Sequence, residues 1–290
     1  MKKILLFVFA LLICVPAFAW NDGKHSLEIG FEMSKYRYRE PHTESKPHFM
    51  ADKKGGSIIY TRHSVLSGDV SDADPSFASV EFRFMDGKTD RQEYAGTGKL
   101  KTNVKDWYME AALKFGRKFQ LATPLELWPY MGFGWYESRR GDDPYPREYH
   151  TIDAGVAYEE AVWVTRGKTS YFYVPFGTKL VLNMGDHFAV SFNGEFDWLI
   201  HGNRNAHAVY LSNSNNLSVT LNQGYGVRLS ARAELDFGDF GVFVEPFWRY
   251  WKVQRSSKLW YIYMGVVDGG CTRTPMNITR EYGLRTGVTF

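Results

Sequence analysis

The residues best suited to acid–base chemistry lie near the end of one alternating apolar–polar segment and in nearby loops. Asp197 and His201 are four positions apart in this segment, so both are expected on one face of a strand. His207 lies in the predicted following loop, and Asp142 and Asp143 lie in another. A carboxylate beside an imidazole can activate water. Because eight His residues are scattered along the chain, the sequence does not identify a catalytic pair among them. We therefore expect Asp197 and His201 to belong to a hydrogen-bond network in the lumen.

The sequence contains none of the common catalytic or metal-binding signatures. GxSxG, HExxH, Walker A, CxxC and EF-hand patterns are all missing. Two Cys residues are too few for a disulfide-dense scaffold or a four-Cys zinc site. We therefore predict no catalytic residue, no cofactor and no metal site.

Composition narrows the class of protein further. Aromatic residues make up 17% of the chain, which argues against disorder. A net charge of +3 without a basic stripe predicts no nucleic-acid partner. A mean hydropathy of −0.35 excludes a polytopic helical membrane protein, but it is compatible with a membrane β-barrel, whose strands are only half apolar.

The N-terminus has the pattern of a cleaved signal peptide. Lys2 and Lys3 precede an apolar run over residues 4–15, and Ala17-Phe18-Ala19 fits a cleavage site. The run is shorter than the ~20 residues of a spanning helix, although a single N-terminal anchor is the alternative. We expect a signal peptide over residues 1–19 and one β-barrel domain over residues 20–290.

The elements that must position any site are strands, because the hydrophobic period is two throughout. Leu27, Ile29, Phe31 and Met33, for example, alternate with Glu28, Gly30, Glu32 and Ser34. No segment shows a helical stripe. Ten runs are predicted: Leu27–Met33, Ser57–Leu66, Val80–Phe84, Trp107–Phe115, Met131–Trp135, Phe172–Leu182, Phe188–Ile200, Tyr225–Phe237, Val242–Tyr250 and Tyr282–Phe290.

Short and long connections alternate between these runs. Short ones are predicted at Asn183–Asp186, Gly238–Asp239, Phe119–Pro124 and, somewhat longer, Ser67–Pro75; long ones at Arg39–Gly56, Ala95–Asn103, Arg139–Lys168, Asn203–Gln223 and Ser256–Thr279. This wiring is typical of outer-membrane barrels. We predict an all-β fold, a single up-and-down antiparallel transmembrane β-barrel of ten strands with both termini periplasmic, in which Leu27–Met33 pairs with Tyr282–Phe290.

Two alternatives to this fold remain open. Twelve strands would form if Ile152–Tyr158 and Ala161–Thr165 added a hairpin. A secreted β-sandwich would show the same alternation, but the signal peptide, the aromatic residues near strand ends and the loop pattern favour the barrel. In a barrel, Phe192, Trp198, Leu229, Val244 and Val288 should face lipid.

The polar face of the strands should then line the lumen. Lumen candidates are Glu28, Glu32, Glu81, Arg83, Asp106, Glu110, Lys114, Glu126, Lys179, Glu195, Asp197, Arg228, Arg232, Glu234, Glu245, Arg249 and Arg285. Buried charges must pair to be tolerated. From the last four strands, four acids and four arginines are therefore predicted to form a structural ionic network: Glu195, Asp197, Arg228, Arg232, Glu234, Glu245, Arg249 and Arg285.

The C-terminal segment Tyr282–Phe290 resembles the assembly signal of Gram-negative outer-membrane proteins. The alternating Tyr282, Leu284 and Val288 and the terminal Phe290 match what the barrel-assembly machinery reads. The chain also resembles a group of uncharacterised outer-membrane β-barrel proteins, in the stretches Met33–Pro41, Pro129–Trp135, Tyr173–Gly177 and Glu245–Trp251. The resemblance implies a fold and a location in the cell outer membrane, and no chemistry.

The expected function is that of a non-enzymatic outer-membrane protein, structural or surface-interacting, with a narrow lumen filled by charge. Its expected partners are outer-membrane lipids, lipopolysaccharide and the barrel-assembly machinery; the extracellular ligand is not indicated. A small-solute channel is the first alternative. A barrel-embedded hydrolase, either an omptin-like protease or a lipid-modifying enzyme, is the second. The paired acid and acid–His motifs of omptins are missing, and Asp72-x-Asp74, which has the spelling, falls in a predicted periplasmic turn.

Overall fold

The computed structural model describes residues 25–41, 48–63, 75–92, 94–95, 98–99, 103–140, 166–209, 214–256, 259–260, 271–272 and 274–290. Alternating apolar and polar residues make this part of the chain almost entirely β. Its strands are β1 (His25–Arg39), β2 (His48–His63), β3 (Ser76–Gln92), β4 (Tyr94–Ala95), β5 (Gly98–Lys99), β6 (Asn103–Arg117), β7 (Phe119–Ala122), β8 (Leu125–Arg140), β9 (Arg166–Asn183), β10 (Phe188–Val209), β11 (Ser214–Leu221), β12 (Gly224–Asp236), β13 (Gly241–Val253), β14 (Leu259–Trp260), β15 (Cys271–Thr272) and β16 (Asn277–Thr289).

Ten of these strands close an antiparallel barrel in the order β1, β2, β3, β6, β8, β9, β10, β12, β13, β16 and back to β1. The first and last strands pair as predicted, with Ile29 opposite Val288 and Met33 opposite Leu284. The backbone N–H groups of Leu27 and Phe290 each donate to the other's carbonyl, at 3.0 and 2.9 Å. The predicted ten-stranded barrel is therefore confirmed.

Six further strands lie outside this ring. Strand β7 pairs with β8 and β11 with β10, while β4–β5 and β14–β15 are two-residue hairpins. The hairpin proposed for the twelve-stranded alternative, over residues 152–165, lies outside the described residues. The same is true of the predicted signal peptide.

The outer wall carries the apolar face. Phe192, Trp198, Leu229 and Val244 are 42–60% exposed, and Val288 lies half-buried on the same face. The side chains that alternate with them point into the closed lumen, and many of these are charged. This is the inverse of a soluble sandwich, so the prediction of an outward apolar belt is confirmed.

The two ends of the barrel differ in their connections. At the end that we call the turn end, β9 joins β10 and β12 joins β13 through tight turns, as predicted. Gly185 and Gly238 have φ of 83° and 92° in these turns, a conformation that suits glycine. The opposite end is called the long-loop end. The predicted connection Ser67–Pro75 lies mostly outside the described residues.

Two predicted long loops are wrong, since they are largely strand, and the predicted short turn Phe119–Pro124 contains β7. Strand β2 starts at His48, within the predicted loop Arg39–Gly56, and β10 and β11 occupy most of the predicted loop Asn203–Gln223. Both extensions lie at the long-loop end. Their outward positions include polar residues such as Asp52 and Asn203. Apolar alternation disappears where a strand leaves the apolar belt, so this pattern could not reveal the extensions.

Candidate functional site

The lumen is organised around Arg228, which lies on β12. Its Nε is 2.6 Å from Oδ2 of Asp197 and 3.2 Å from Oε1 of Glu195, both on the neighbouring β10. Its Nη2 donates to a carboxylate oxygen of Glu110, on the far wall, and to the hydroxyl of Tyr173 at 3.0 Å. Asp197 is fully buried. One guanidinium therefore neutralises carboxylates from both sides of the barrel.

The ion pairs continue across the lumen rather than along one wall. Glu32 on β1 accepts hydrogen bonds from Arg83 at 2.8 Å and from Arg249 at 3.0 Å. Arg83 also donates to Glu110 at 2.6 Å, and Glu110 contacts Arg228. These contacts form a continuous series of ion pairs that joins β13, β1, β3, β6 and β12, in the order Arg249, Glu32, Arg83, Glu110 and Arg228. We call these residues and their direct partners the lumen network.

A second group of ion pairs lies nearer the turn end. Glu28 accepts from Arg232 at 2.7 Å and from Arg285 at 3.3 Å. Arg232 also pairs with Glu234 at 2.9 Å, and Arg285 with Glu245 at 2.5 Å. Glu28 from the first strand therefore holds together two arginines from the last strands.

All eight predicted network residues lie in the lumen, but several of them pair with residues outside the predicted eight. Arg228 meets Glu195 and Asp197, Arg232 meets Glu234, and Arg285 meets Glu245. Arg249 instead pairs with Glu32 and with Glu281, the latter at 3.4 Å. Glu281 was missed because the predicted last strand started one residue later. Glu32 was named as a lumen residue, but its partners follow only from barrel closure.

One buried ion pair had no signal in the sequence. Lys53 is 1% exposed and its Nζ lies 3.1 Å from Oδ1 of Asp106. Asp106 also contacts Arg140 at 3.2 Å and accepts a hydrogen bond from Thr89. Lys53 lies in a segment predicted as loop, so its position on a lumen-facing strand could not be anticipated.

An aromatic layer fills the lumen on the long-loop side of Arg228. Its buried members are Tyr171, Tyr173, Leu199, Leu221, Trp251 and Val253, with Tyr136 packed against them. The rings of Tyr136 and Tyr171 stack at 5.4 Å, and Tyr171 and Trp251 at 5.6 Å. The layer and the network thus follow one another along the lumen.

At two places on the β8–β9 pair, a tyrosine ring from one strand packs over a glycine of the other strand inside the lumen. A Cβ on Gly134 would lie 2.1 Å from the ring of Tyr173, its cross-strand partner. A Cβ on Gly177 would lie 2.4 Å from the ring of Tyr130, which is directly opposite. Each ring lies over the bare backbone of a glycine on the adjacent strand, so glycine is required for the close approach. The arrangement is reciprocal, because each strand contributes one glycine and one tyrosine.

On the turn side of the network a cavity of about 140 Å³ remains. Lys114, Trp128, Tyr130 and Lys179 are among its lining side chains. Lys114 pairs with Glu195 at 2.6 Å. The cavity therefore lies between the network and the turn end.

The acid–base candidates are not brought together, and the prediction that Asp197 and His201 share a face is wrong. The register of β10 against β9 shifts between Leu199 and His201, which indicates a β-bulge. Leu199 is 1% exposed, whereas His201 is exposed and lies opposite the outward Phe172. The extra residue moves His201 to the outer wall.

Of the other candidates for chemistry, His207 alone lies within the described residues. His207 lies in β10, opposite Arg166, and not in a loop as predicted. Asp142 and Asp143 lie outside the described residues, as do Asp72 and Asp74. Within the described ranges, no group of three or more His, Cys, Asp or Glu residues is arranged to hold a metal ion. No helix in the same ranges is long and apolar enough to cross a membrane.

The four residues of the expected assembly signal lie along the last strand and just after it. Tyr282, Leu284 and Phe290 are 40–56% exposed and face outward, with Val288 half-buried between them. The backbone N–H of Phe290 donates to Leu27 at 2.9 Å. The segment is thus an outward apolar stripe at the seam that closes the barrel.

Comparison with known proteins bears on the fold alone. The outer membrane protease OmpT from Escherichia coli matches over 94% of this chain and 98% of its own, with a TM-score of 0.59 and 9% identity. The fold is that of an outer-membrane β-barrel. The translocator domain of the autotransporter NalP from Neisseria meningitidis matches over 100% of this chain and 96% of its own, with a TM-score of 0.40 and 9% identity. A major outer membrane protein from Thermus thermophilus matches over 90% of this chain and 98% of its own, with a TM-score of 0.33 and 10% identity. No protein-family model and no curated protein sequence matches the chain.

Proposed function

We propose that the chain is an exported protein of the bacterial outer membrane, with its turn end in the periplasm and its long-loop end outside the cell. Three observations support this location: the signal-peptide pattern, the closed ten-stranded barrel and the exposed apolar belt. Short turns face the periplasm in barrels of this kind. The C-terminal stripe ending at Phe290 is the segment that the assembly machinery would read. The quoted stretches also support membership of the uncharacterised outer-membrane group named above.

Within that membrane we propose a non-enzymatic role, structural or surface-interacting, for a barrel that does not conduct. One observation carries this proposal: the lumen network crosses from wall to wall through Glu32, Arg83, Glu110 and Arg228. Barrels of about eight strands have interiors just wide enough for side chains to fill, and in this wider ring of ten the long Arg and Glu side chains still meet across the lumen. To pass, an ion would have to break buried pairs and then displace the stacked rings of the aromatic layer.

A planar-bilayer recording tests the closed lumen directly. The purified wild-type barrel should insert without stable conductance steps, because the network and the aromatic layer both obstruct the path. The double variant Arg83→Ala/Arg228→Ala should show increased current, whereas Arg139→Ala on the outer wall should behave as wild type. Stable steps of porin size from the wild type would refute the proposal and favour the small-solute channel.

The hydrolase alternative has a separate test. One neighbour of similar fold is a protease, but its identity to this chain is 9%. Asp197 and His201 face opposite sides of the wall, so they do not support water activation. Incubation of the folded barrel with peptide and lipid substrates should release no product. Turnover that survives purification to homogeneity would contradict the non-enzymatic proposal.

A further inference from the structure

The outer wall carries a cluster of cations at the long-loop edge of the apolar belt. Six exposed basic side chains lie on five consecutive strands of the ring, β16, β1, β2, β3 and β6. A shallow groove runs between them. We call them the cationic patch; they are Lys35, Arg37, Lys54, Lys88, Lys105 and Arg280.

The strand register makes this a contiguous surface. One row of directly opposed outward residues crosses five strands: Tyr282, Lys35, Asp52, Lys88 and Lys105. Arg37 and Arg280 oppose each other in the next row toward the long-loop end. Lys54 lies in the next row toward the turn end, opposite Met33. The patch is invisible in the sequence, because it forms only when the first and last strands meet.

The patch has more cations than carboxylates. Asp52 and Asp86 are the carboxylates among the residues that line the groove, against six cations. Within the described ranges, none of the six cations has a carboxylate within 4.0 Å. Like charges directly opposed on neighbouring strands, such as Arg37 with Arg280, are destabilising. The lumen arginines, in contrast, each contact at least one carboxylate. The outer wall thus presents a surface of net positive charge here.

The position of the patch indicates which anion it meets. Toward the turn end, the next outward residues on β1 and β16 include the apolar Met33 and Leu284, with Phe31 one row further on. Trp248 and Tyr282 flank it on one side, as aromatic residues do at a membrane–water interface. The cations therefore lie at the depth of lipid headgroups, beside a wall that acyl chains can cover.

We propose that the cationic patch binds the phosphate groups of lipopolysaccharide in the outer leaflet, with the acyl chains of the lipid along the adjacent apolar wall. This inference rests on the proposed location and orientation of the barrel. Lys and Arg side chains bind phosphate through charge-assisted hydrogen bonds. An array of cations on several strands suits a headgroup with more than one phosphate.

Lipid binding by the refolded barrel tests this inference. The probe is purified rough-type lipopolysaccharide, titrated against barrel in neutral detergent, with enzymatically dephosphorylated lipopolysaccharide as the comparison. The test variant is Lys35→Gln/Lys88→Gln/Arg280→Gln, which changes only exposed side chains. The matched control is Lys168→Gln, because Lys168 is a half-exposed cation of the barrel's strands that already pairs with Glu137 at 2.9 Å.

The expected result is selective loss of affinity. Each cation near an anionic membrane surface contributes about fivefold in affinity, so the triple variant should bind about 100-fold more weakly. Lys168→Gln should stay within about threefold of wild type, and dephosphorylated lipid should bind wild type and triple variant alike. Higher salt should weaken binding by the wild type more than by the triple variant.

Other outcomes would overturn the inference. Equal affinity of wild type and triple variant, or equal binding of phosphorylated and dephosphorylated lipid, would do so. Tighter binding of phosphatidylglycerol vesicles than of lipopolysaccharide would assign the patch to phospholipid instead. A wild type that binds no lipopolysaccharide yet inserts into bilayers without conducting would refute this inference and leave the proposed function intact.

Discussion

Replacing Arg228 with alanine should destabilise the barrel more than any change to a surface ion pair. Glu195 would keep Lys114, and Glu110 would keep Arg83. Asp197 is fully buried, and within the described ranges its only ion-pair partner is Arg228. The variant would therefore leave one uncompensated carboxylate in the lumen. Removing one partner of a buried pair costs about 3–5 kcal/mol, which we expect as the loss in free energy of unfolding.

Urea unfolding of barrels refolded into lipid vesicles measures this loss. The nine Trp residues supply the fluorescence signal, and linear extrapolation yields the free energy of unfolding in water. Arg139→Ala is the matched control. The Arg139 side chain is 48% exposed and its Nε lies 3.1 Å from Glu137, so its loss should cost about 0–1 kcal/mol.

A second variant separates charge from packing. Adding Asp197→Asn to Arg228→Ala removes the uncompensated charge while the cavity left by the guanidinium stays. The double variant should therefore be more stable than Arg228→Ala alone, by about 1–3 kcal/mol. If both variants unfold at the same urea concentration, or if Arg228→Ala lies within about 1 kcal/mol of wild type, the role assigned to this ion pair is wrong.

Three further predictions address the wall, the seam and the packing of the lumen. Leu229→Arg on the lipid face should cost about 2–4 kcal/mol in urea unfolding, and a value near zero would contradict its contact with the bilayer core. Deletion of Phe290 should leave export intact but reduce the outer-membrane level, because it removes the terminal aromatic and its two backbone hydrogen bonds to Leu27; normal levels in fractionated cells would contradict this. Gly134→Ala should cost about 1–3 kcal/mol, because the new Cβ would overlap the ring of Tyr173, whereas the same change at Gly167, where a Cβ would meet open space, should be nearly neutral.

The fold could be predicted because the dominant signal is local. Alternation such as Leu27, Ile29, Phe31 and Met33 requires no partner strand to be recognised, and it determines which face meets lipid. The signal failed where strands extend beyond the apolar belt, as at the start of β2, since Phe49 and Ala51 face inward there and the outward face mixes Met50 with Asp52. It also failed at the bulge beside Leu199, because the extra residue there reverses which positions face outward. Strict alternation had assigned His201 to the lumen face.

The candidate site could be predicted in part, for a different reason. Alternation identified Glu32, Arg83 and Arg228 as lumen residues, because inward polarity is as local as outward apolarity. Pairing is not local. Glu32 meets Arg249 only because the ring closes through β16, and Arg228 meets Glu110 only because the lumen is narrow enough for a guanidinium to cross. Those contacts depend on the diameter of the barrel.

The reciprocal glycine–tyrosine contacts have a consequence for how β8 and β9 find each other during assembly. A tight turn fixes the register of a hairpin, but β8 and β9 are separated by the 25 residues between Arg140 and Arg166. Their alignment must therefore be determined by contacts between their side chains. A two-residue slip could keep Tyr173 over a glycine, Gly132, but it would place Tyr130 against Pro175. A slip in the other direction would set Tyr173 against Tyr136. Of these three alignments, only the observed one places both tyrosine rings over a glycine. The two contacts therefore favour the correct register of β8 against β9 during assembly.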